Sequence, residues 1–564
     1  MKRIALTLSF CVIAGMFAAS GTPASAASSF TFFGAGRGHG IGMSQYGAYG
    51  LAQEGWTAER IVRHYYTGTQ VQNRQPPANL FRIGLLQSRE TTKVVAERGS
   101  YEILVDGQVI ESVGEGQART IKVTDDKRFR ILRADGSAVG EPVGSPNQPL
   151  RIERVDGGPQ PAIARVVEWG HGMARGEIEL VIIGPGKANV VALVDPEEYL
   201  YGISEVPSSW PAAALEAQAI AARTYAYRKV ANAANQSGCS CGLYGSTRDQ
   251  AYTGWDKESS TDGDRWVAAV DATAQMVATY NGDFIYTFYS ASSGGFTENI
   301  ENVWAASSPQ PYLKGVCDPG DFVNANPDRV WSEQMSGSDA AVGLGSPQGM
   351  AQVTRINVVE RGVSGRVVKA EIVGTTASGE RVSISETGWD LRGPFGLGDS
   401  RWWVNANRNV TGKIRQEYDG VMCAPGLATS NQRNVSGGAY QTFQEGRIYE
   451  NDATGSAVWL RGAVLAKYLK LKGHTSFLGL PRKQLVVKKG KRVIFEGGEI
   501  YTKGATGTHE LHGAVLAAFL EENGVKGPLG FPTTDVSKRR GTAHAEFEGG
   551  RIVCPRNGSC RIRT

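Results

Sequence analysis

At 564 residues the chain is too long for one ordinary hydrophobic core, and two or three domains are expected. Its net charge of +5 is unevenly spread: residues 438–564 hold 20 Lys/Arg against 11 Asp/Glu, whereas residues 27–437 carry six more acidic than basic side chains. Beyond the N-terminus no run approaches the roughly 18 apolar residues of a membrane helix, and no aromatic-basic motif supports nucleic-acid binding, so a transmembrane protein and a nucleic-acid reader are excluded.

Lys2 and Arg3 precede an apolar stretch from Ile4 to Ala19, and Ala24-Ser25-Ala26 forms a small-residue cleavage site. Residues 1–26 therefore read as a signal peptide, which predicts an exported chain that is soluble or wall-associated. Cys11 lies inside the apolar stretch and not just after it, which argues against a lipid anchor. Cys239, Cys241, Cys317, Cys423, Cys554 and Cys560 follow, and an even number in an exported chain favours disulfides. Cys554 with Cys560 and Cys317 with Cys423 are the natural pairings, although spacing alone leaves the connectivity open.

A short entry at 27–36 leads to RGHGIGMSQYGA at 37–48, then to two helical stretches ending near residue 71, the second capped by Thr57. From about 80 to 195, alternating runs such as FRIGLL, YEILV, RTIKV and RFRIL read as antiparallel strands broken by Gly, Asp and Asn. About 95–165 of this stretch is expected as an inserted β-subdomain. Glu205 then stands on a Pro-bounded turn, Glu205-Val206-Pro207, directly before an Ala-rich helix that carries Arg223 and runs to about Val230. Ser208 or Ser209 is the expected cap, and Pro211 suits the first turn. A carboxylate on a turn that feeds a helix is held rigidly at an edge, where a reacting group is useful. Standing alone it would be a solvated or capping residue.

Gly-rich loops and further strands continue to about 410, through SASSGGFTE at 290–298, Val303-Trp304 and Pro311-Tyr312-Leu313-Lys314. The serines of the first loop lack a G-x-S-x-G or a paired His/Asp pattern, so they read as a Gly/Ser turn and not as nucleophiles. Residues 424–437, APGLATSNQRNVSG, have the composition of a linker. FQEGRIY, FEGGEIY and FEGGRIV then recur every 52 residues from 443, with GAVLAKY, GAVLAAF, LGLP and LGFP between them. A fixed period means an array of one small unit, here two full repeats and a third that stops after its strand. The fold class is α+β: a mixed domain with antiparallel strands and an active-site helix over 27–423, and a small repeat domain over 438–564.

The Glu205-Val206-Pro207 turn followed by AQAIAARTY at 217–225, together with SASSGGFTE, Val303-Trp304, PYLK and RGHGIGMSQ, resembles the SpoIID/LytB family of peptidoglycan-acting proteins. The C-terminal units resemble LGFP repeats. In most SpoIID-like relatives the GHGxGMSQ motif ends the domain; here it leads, so the resemblance implies a circular permutation in which 27–71 packs back on the later core. It also implies a lytic transglycosylase. Such an enzyme cuts between N-acetylmuramic acid and N-acetylglucosamine by attack of the muramyl 6-hydroxyl on its own anomeric carbon, leaving a 1,6-anhydro end. Because the substrate supplies the nucleophile, one carboxyl, Glu205, can serve as acid and then base, and the two-carboxylate arrangement of glycosidases is unnecessary. Its pKa would be raised by a dry or apolar site, with Val206, Pro207 and Trp210 as the wall.

Arg223, Tyr312, Lys314, Ser292, His39 and Gln45 are the substrate-binding candidates on the same resemblance, with Lys314 suited to a lactyl carboxylate. Arg223 has an alternative role as an anchor for a backbone loop, and His39 one as a hydrogen-bonded core residue. Relatives sometimes bind zinc through a histidine and two cysteines, but the segment around Cys239-x-Cys241 has no histidine and the nearest in sequence is His171. No cofactor is expected, and a disulfide or free thiols stand ahead of a metal. The partners implied are peptidoglycan glycan strands and, through the basic repeats, anionic wall polymers. The alternative is a non-catalytic, LytB-like modifier of a cell-wall amidase, or a wall-polymer-binding protein.

Overall fold

The computed structural model describes residues 28–155, 158–232 and 238–564; the expected signal peptide at 1–26 lies outside them. Among the described residues no helix is long and apolar enough to cross a membrane.

Alternation of apolar and polar residues builds two facing sheets. The seven-stranded sheet runs in space Leu243–Tyr244, Phe81–Arg89, Lys187–Val194, Glu177–Gly184, Leu150–Val155, Ser100–Val105, Gln108–Val113. The five-stranded sheet runs His171–Met173, Ile163–Val166, Thr91–Arg98, Ala118–Val123, Phe129–Leu132. Strands from residues 95–165 pair into both sheets, and Ile121, Phe129 and Leu150 share one core with Phe81, Val190 and Tyr199.

The 21-residue helix Ala212–Asn232 packs against this core through Leu215, Ala219, Ala222 and Tyr227, and against a second core through Ala217, Ile220 and Ala221. A helix apolar on opposite faces is buried all round. It starts one residue later than Pro211 at the first turn would require: the Pro211 carbonyl accepts from Ala214 and Leu215, so Pro211 stands at the cap. Ser208 does not cap it, because its hydroxyl is buried without a hydrogen-bond partner.

The leading segment folds back on distant strands. Ser29–Gly34 lies antiparallel between Trp331–Ser336 and Trp402–Val404, Met43–Ser44 runs parallel to Tyr289–Ser290, and Gln70–Asn73 pairs with Met276–Tyr280. Helices Gln45–Gln53 and Ala58–Tyr65 are capped by Ser44, which accepts from Gly47, and by Thr57, which accepts from Arg60. The GHGIG loop needs its glycines: φ is +67° at both Gly40 and Gly42, and a Cβ there would lie 2.1 Å from the Arg366 guanidinium and 2.2 Å from the Phe288 carbonyl.

The C-terminal region holds three four-stranded antiparallel sheets, with helices Gly462–Lys470 and Gly513–Glu521 after the first two. Phe443, Phe495 and Phe547, one per period, are all buried. The following residue clamps an upstream turn each time: Gln444 accepts from the Leu427 N–H at 2.9 Å, Glu496 from Leu480 at 3.0 Å and Glu548 from Phe531 at 2.9 Å. This periodic clamp overturns the linker reading of 424–437. Gly426-Leu427 is the first repeat's counterpart of the LGLP turn, and Arg433–Val435 is an edge strand of its sheet. Its Pro, Ser and Gly content reflects a tight turn with Gly426 at φ +74°, not a free chain. Cys317–Cys423 ties this repeat's base to the preceding domain, and both cysteines pack with Ile414, Phe443 and Trp459.

Candidate active site around Glu205

Glu205 follows the short helix Pro196–Tyr201 and the Ile203 bridge to Tyr252, so both ends of its turn are fixed. The Lys257 ammonium donates to the Val206 carbonyl at 2.7 Å and Arg265 to the Trp210 carbonyl at 2.8 Å. Val206 and Trp210 are buried, and the rings of Tyr46 and Tyr49 each lie 5.2 Å from Trp210. The apolar wall is thus completed by the leading segment. Glu205 itself is half-buried and lines a cavity of about 590 Å³ with Pro207, Ser208, Asp256 and Lys257.

The carboxyl accepts the Ala251 N–H at 2.6 Å and a hydrogen bond from the Tyr289 hydroxyl. That hydroxyl accepts from Gln250 Nε2 at 2.8 Å, which leaves its proton for Glu205. Gln250 is held in turn by Tyr199 at 3.0 Å and by the Ala222 carbonyl of the long helix at 3.3 Å. Burial raises the Glu205 pKa, and the donors from Ala251, Tyr289 and Gln45 oppose that rise only in part. Asp256, in the same cavity, is fully committed: it meets His171 at 2.9 Å and Arg165 at 3.1 Å, and despite burial those donors hold its pKa below the usual value. Burial lowers the Lys257 pKa to about 8.

Of the other candidates, Gln45 and His39 approach this site. Gln45 Nε2 is 3.4 Å from both the Glu205 carbonyl and Gln218 Oε1. His39 bonds the Tyr289 backbone, and its Nδ1 accepts the Ile41 N–H at 3.0 Å. Burial and the Arg366 charge hold its pKa near 3, so it is a neutral imidazole and no general acid at neutral pH. Its ring stands among the half-exposed aromatic rings of Trp304 at 5.2 Å, Phe288 at 6.3 Å and Trp389 at 6.4 Å.

Arg223, Ser292 and Tyr312 face inward. Arg223 is fully buried; it binds Glu197 at 2.7 Å and donates to the Val270 and Met276 carbonyls at 3.1 and 3.2 Å. This is the loop-anchoring alternative, and it leaves no N–H facing the cavity. Ser292 is likewise fully buried, donating to Asp321 at 2.8 Å. Tyr312 packs on Tyr280 at 5.7 Å, while Lys314 is half-exposed and pairs with Glu301 at 2.8 Å.

The sequence reading missed Tyr289, on the strand Tyr289–Ser290, Gln250 and Ala251, on a loop, and Lys257, on the short helix Trp255–Glu258; Tyr289 alone carried a signal, as the neighbour of the Ser290 loop. It also missed the buried pair Asp318 and Asp321. Tyr65 donates to Asp318 at 2.7 Å and Ser293 at 2.6 Å, and Ser44 donates to Asp321 at 2.8 Å, which stitches the leading helices to the Ser/Gly loop.

All six cysteines among the described residues are paired, as Cys239–Cys241, Cys317–Cys423 and Cys554–Cys560. A zinc site of one histidine and two cysteines does not fit this segment. Cys239 and Cys241 are spent on each other, His171 is engaged by Asp256, and among the described residues no third ligand joins the two sulfurs.

The EVP turn, Gln250, Lys257 and the long helix all fall within residues 185–280, which match the SpoIID family model, described as stage II sporulation protein. The chain carries a SpoIID domain. Residues 426–476 and 478–527 match the LGFP repeat. An uncharacterized protein of Brachyspira hyodysenteriae is 37% identical over 131 residues, 22% of this chain and 33% of that protein. The amidase enhancer of Bacillus subtilis is 37% identical over 118 residues, 21% of this chain and 14% of that protein. Stage II sporulation protein D of Bacillus subtilis is 25% identical over 267 residues, 42% of this chain and 76% of that protein. The SpoIID similarity thus spans a third or less of the first two relatives and most of the third.

Proposed function

We propose that this SpoIID-domain protein acts on the cell wall and cleaves peptidoglycan glycan strands between N-acetylmuramic acid and N-acetylglucosamine, leaving 1,6-anhydro ends. One observation carries the reading: Glu205 is the cavity-lining carboxyl whose pKa is raised, and its neighbour Asp256 is locked as an anion. A single carboxyl with a raised pKa beside an ion-paired carboxylate suits chemistry in which the substrate brings its own nucleophile. Glu205 gives its proton to the glycosidic oxygen as the C1–O bond breaks. The muramyl 6-hydroxyl closes on C1 and its proton returns to Glu205, so the enzyme ends as it began and water is not consumed. Tyr289 and the Ala251 N–H stabilise the carboxylate between the two transfers. The half-exposed aromatic rings around His39 offer stacking faces for further sugars. The LGFP repeats and the expected signal peptide support an exported, wall-associated protein.

The test is mass spectrometry of peptide-free glycan strands after incubation with the protein. Anhydro-ended products that vanish with Glu205→Gln support the reading, whereas reducing ends overturn the intramolecular step. Intact strands would favour the second reading, a modifier of a wall amidase, which the similarity to the Bacillus subtilis amidase enhancer supports.

A further inference from the structure

The basic repeats bear a cavity that the catalytic reading leaves unused. Between the first and second repeats lies a space of about 820 Å³, walled by residues 444–446 and 461–465 of one and 484–504 of the other. Arg461, Lys489, Lys491 and Lys503 line it, against one acid, Glu445. Lys503 is paired with Glu548 at 2.6 Å, but among the described residues no carboxylate pairs with Arg461, Lys489 or Lys491. Arg461 lies over the Trp459 ring at 4.2 Å, which orients its guanidinium without neutralising it. Gln444, Gln484 and Thr502 add neutral hydrogen-bonding groups. The helix Gly462–Lys470 also begins in this wall, and its N-terminus has no side-chain cap.

The next junction is built differently. Helix Gly513–Glu521 starts in the same way, but Cys560 Sγ lies 3.5 Å from the Ala514 carbonyl, so the Cys554–Cys560 loop occupies the place that is open one repeat earlier. One junction is filled by a disulfide-bridged loop; the other stays open and cationic.

We propose that the cavity between the first two repeats is a binding site for a chain of phosphodiesters, of the kind carried by anionic wall polymers. Three unpaired cations along one trough, with neutral donors between them, match repeated single negative charges better than one compact anion. The site deepens the wall-associated reading above and rests on it for the identity of the polymer. It would hold the protein on the wall while the SpoIID domain, tied to the first repeat by Cys317–Cys423, works on nearby glycan.

The experiment measures binding of the full chain to a short linear polyphosphate and to purified walls before and after removal of their phosphodiester polymers. Lys489→Gln/Lys491→Gln is compared with Lys470→Gln/Lys483→Gln, an equal charge change at exposed positions outside the cavity. The cavity variant should weaken polyphosphate binding about tenfold, lose the preference for intact walls and keep the thermal stability of the parent. The control variant should bind as the parent does. Equal losses in both variants would mean diffuse charge attraction and overturn the site, as would binding unchanged in both. Displacement by inorganic phosphate at equal phosphate content would overturn the polymer assignment. Glycan cleavage measured in parallel separates the two readings, since the cavity variant keeps it on soluble strands even if the site is wrong.

Discussion

Replacing Arg223 with Met removes a guanidinium that has no exposure and whose N–H groups reach Glu197, Thr273, Val270 and Met276. Glu197 keeps donors in the Gln275 N–H and the Tyr227 hydroxyl, both at 3.2 Å, and is partly exposed, so its charge is not stranded. The Val270 carbonyl also keeps the Thr273 hydroxyl at 3.2 Å, whereas the Met276 carbonyl loses its guanidinium donor. Breaking a buried pair costs about 3–5 kcal/mol when one partner is left bare, and the remaining donors place this case near the lower end. With an unfolding entropy of about 2.1 cal/mol/K per residue over residues 27–423, a kcal/mol shifts the melting temperature by about 1 °C, so it should fall by about 4 °C. Arg223→Lys should recover little, because an ammonium cannot span Glu197 and both carbonyls. The assay is differential scanning fluorimetry beside glycan-binding measurements at a temperature where the variant is folded. A variant that melts like the parent yet no longer binds glycan would refute the argument and return Arg223 to the substrate groove.

Two further outcomes follow from buried groups. Burial raises Asp318 to about 6, and burial with the Asp318 charge raises Asp321 to about 7. Their folded pKa values exceed the unfolded ones, so their contribution to stability is full at low pH and is lost as pH rises through about 7. Asp321→Asn, which keeps an acceptor for Ser44, should flatten that decline in urea unfolding followed from pH 5 to 8; an unchanged slope would rule the pair out. Removing Cys317–Cys423, which closes 106 residues, should cost about 4–5 kcal/mol, against about 2 kcal/mol for Cys554–Cys560, which closes 6. Equal losses in paired Cys→Ser variants, read by chemical unfolding, would contradict a chain-entropy origin.

The amino-acid sequence by itself determined the features that depend on neighbours along the chain. The Pro-bounded turn carrying Glu205, the Ala-rich helix after it, the Thr57 cap and the 52-residue period all arise from local propensity, capping and repetition. The direction a side chain faces depends instead on what covers each side of its element. Arg223 and Tyr225 are two residues apart on one helix, yet the first is enclosed by Glu197 and the 270–276 turn while the second reaches Asp249 at 2.8 Å. Ser292 and Tyr312 likewise turned inward because the leading helices, remote in sequence, close over them. The Glu205 environment was illegible for the same reason, since Ala251, Tyr289 and Gln45 reach it from three separate segments. Residues 424–437 show the converse: their linker-like composition concealed a turn that becomes specific only when Gln444 clamps Leu427. Local chemistry thus placed the Glu205 carboxyl, whereas long-range packing raised its pKa and decided which polar neighbours face the cavity.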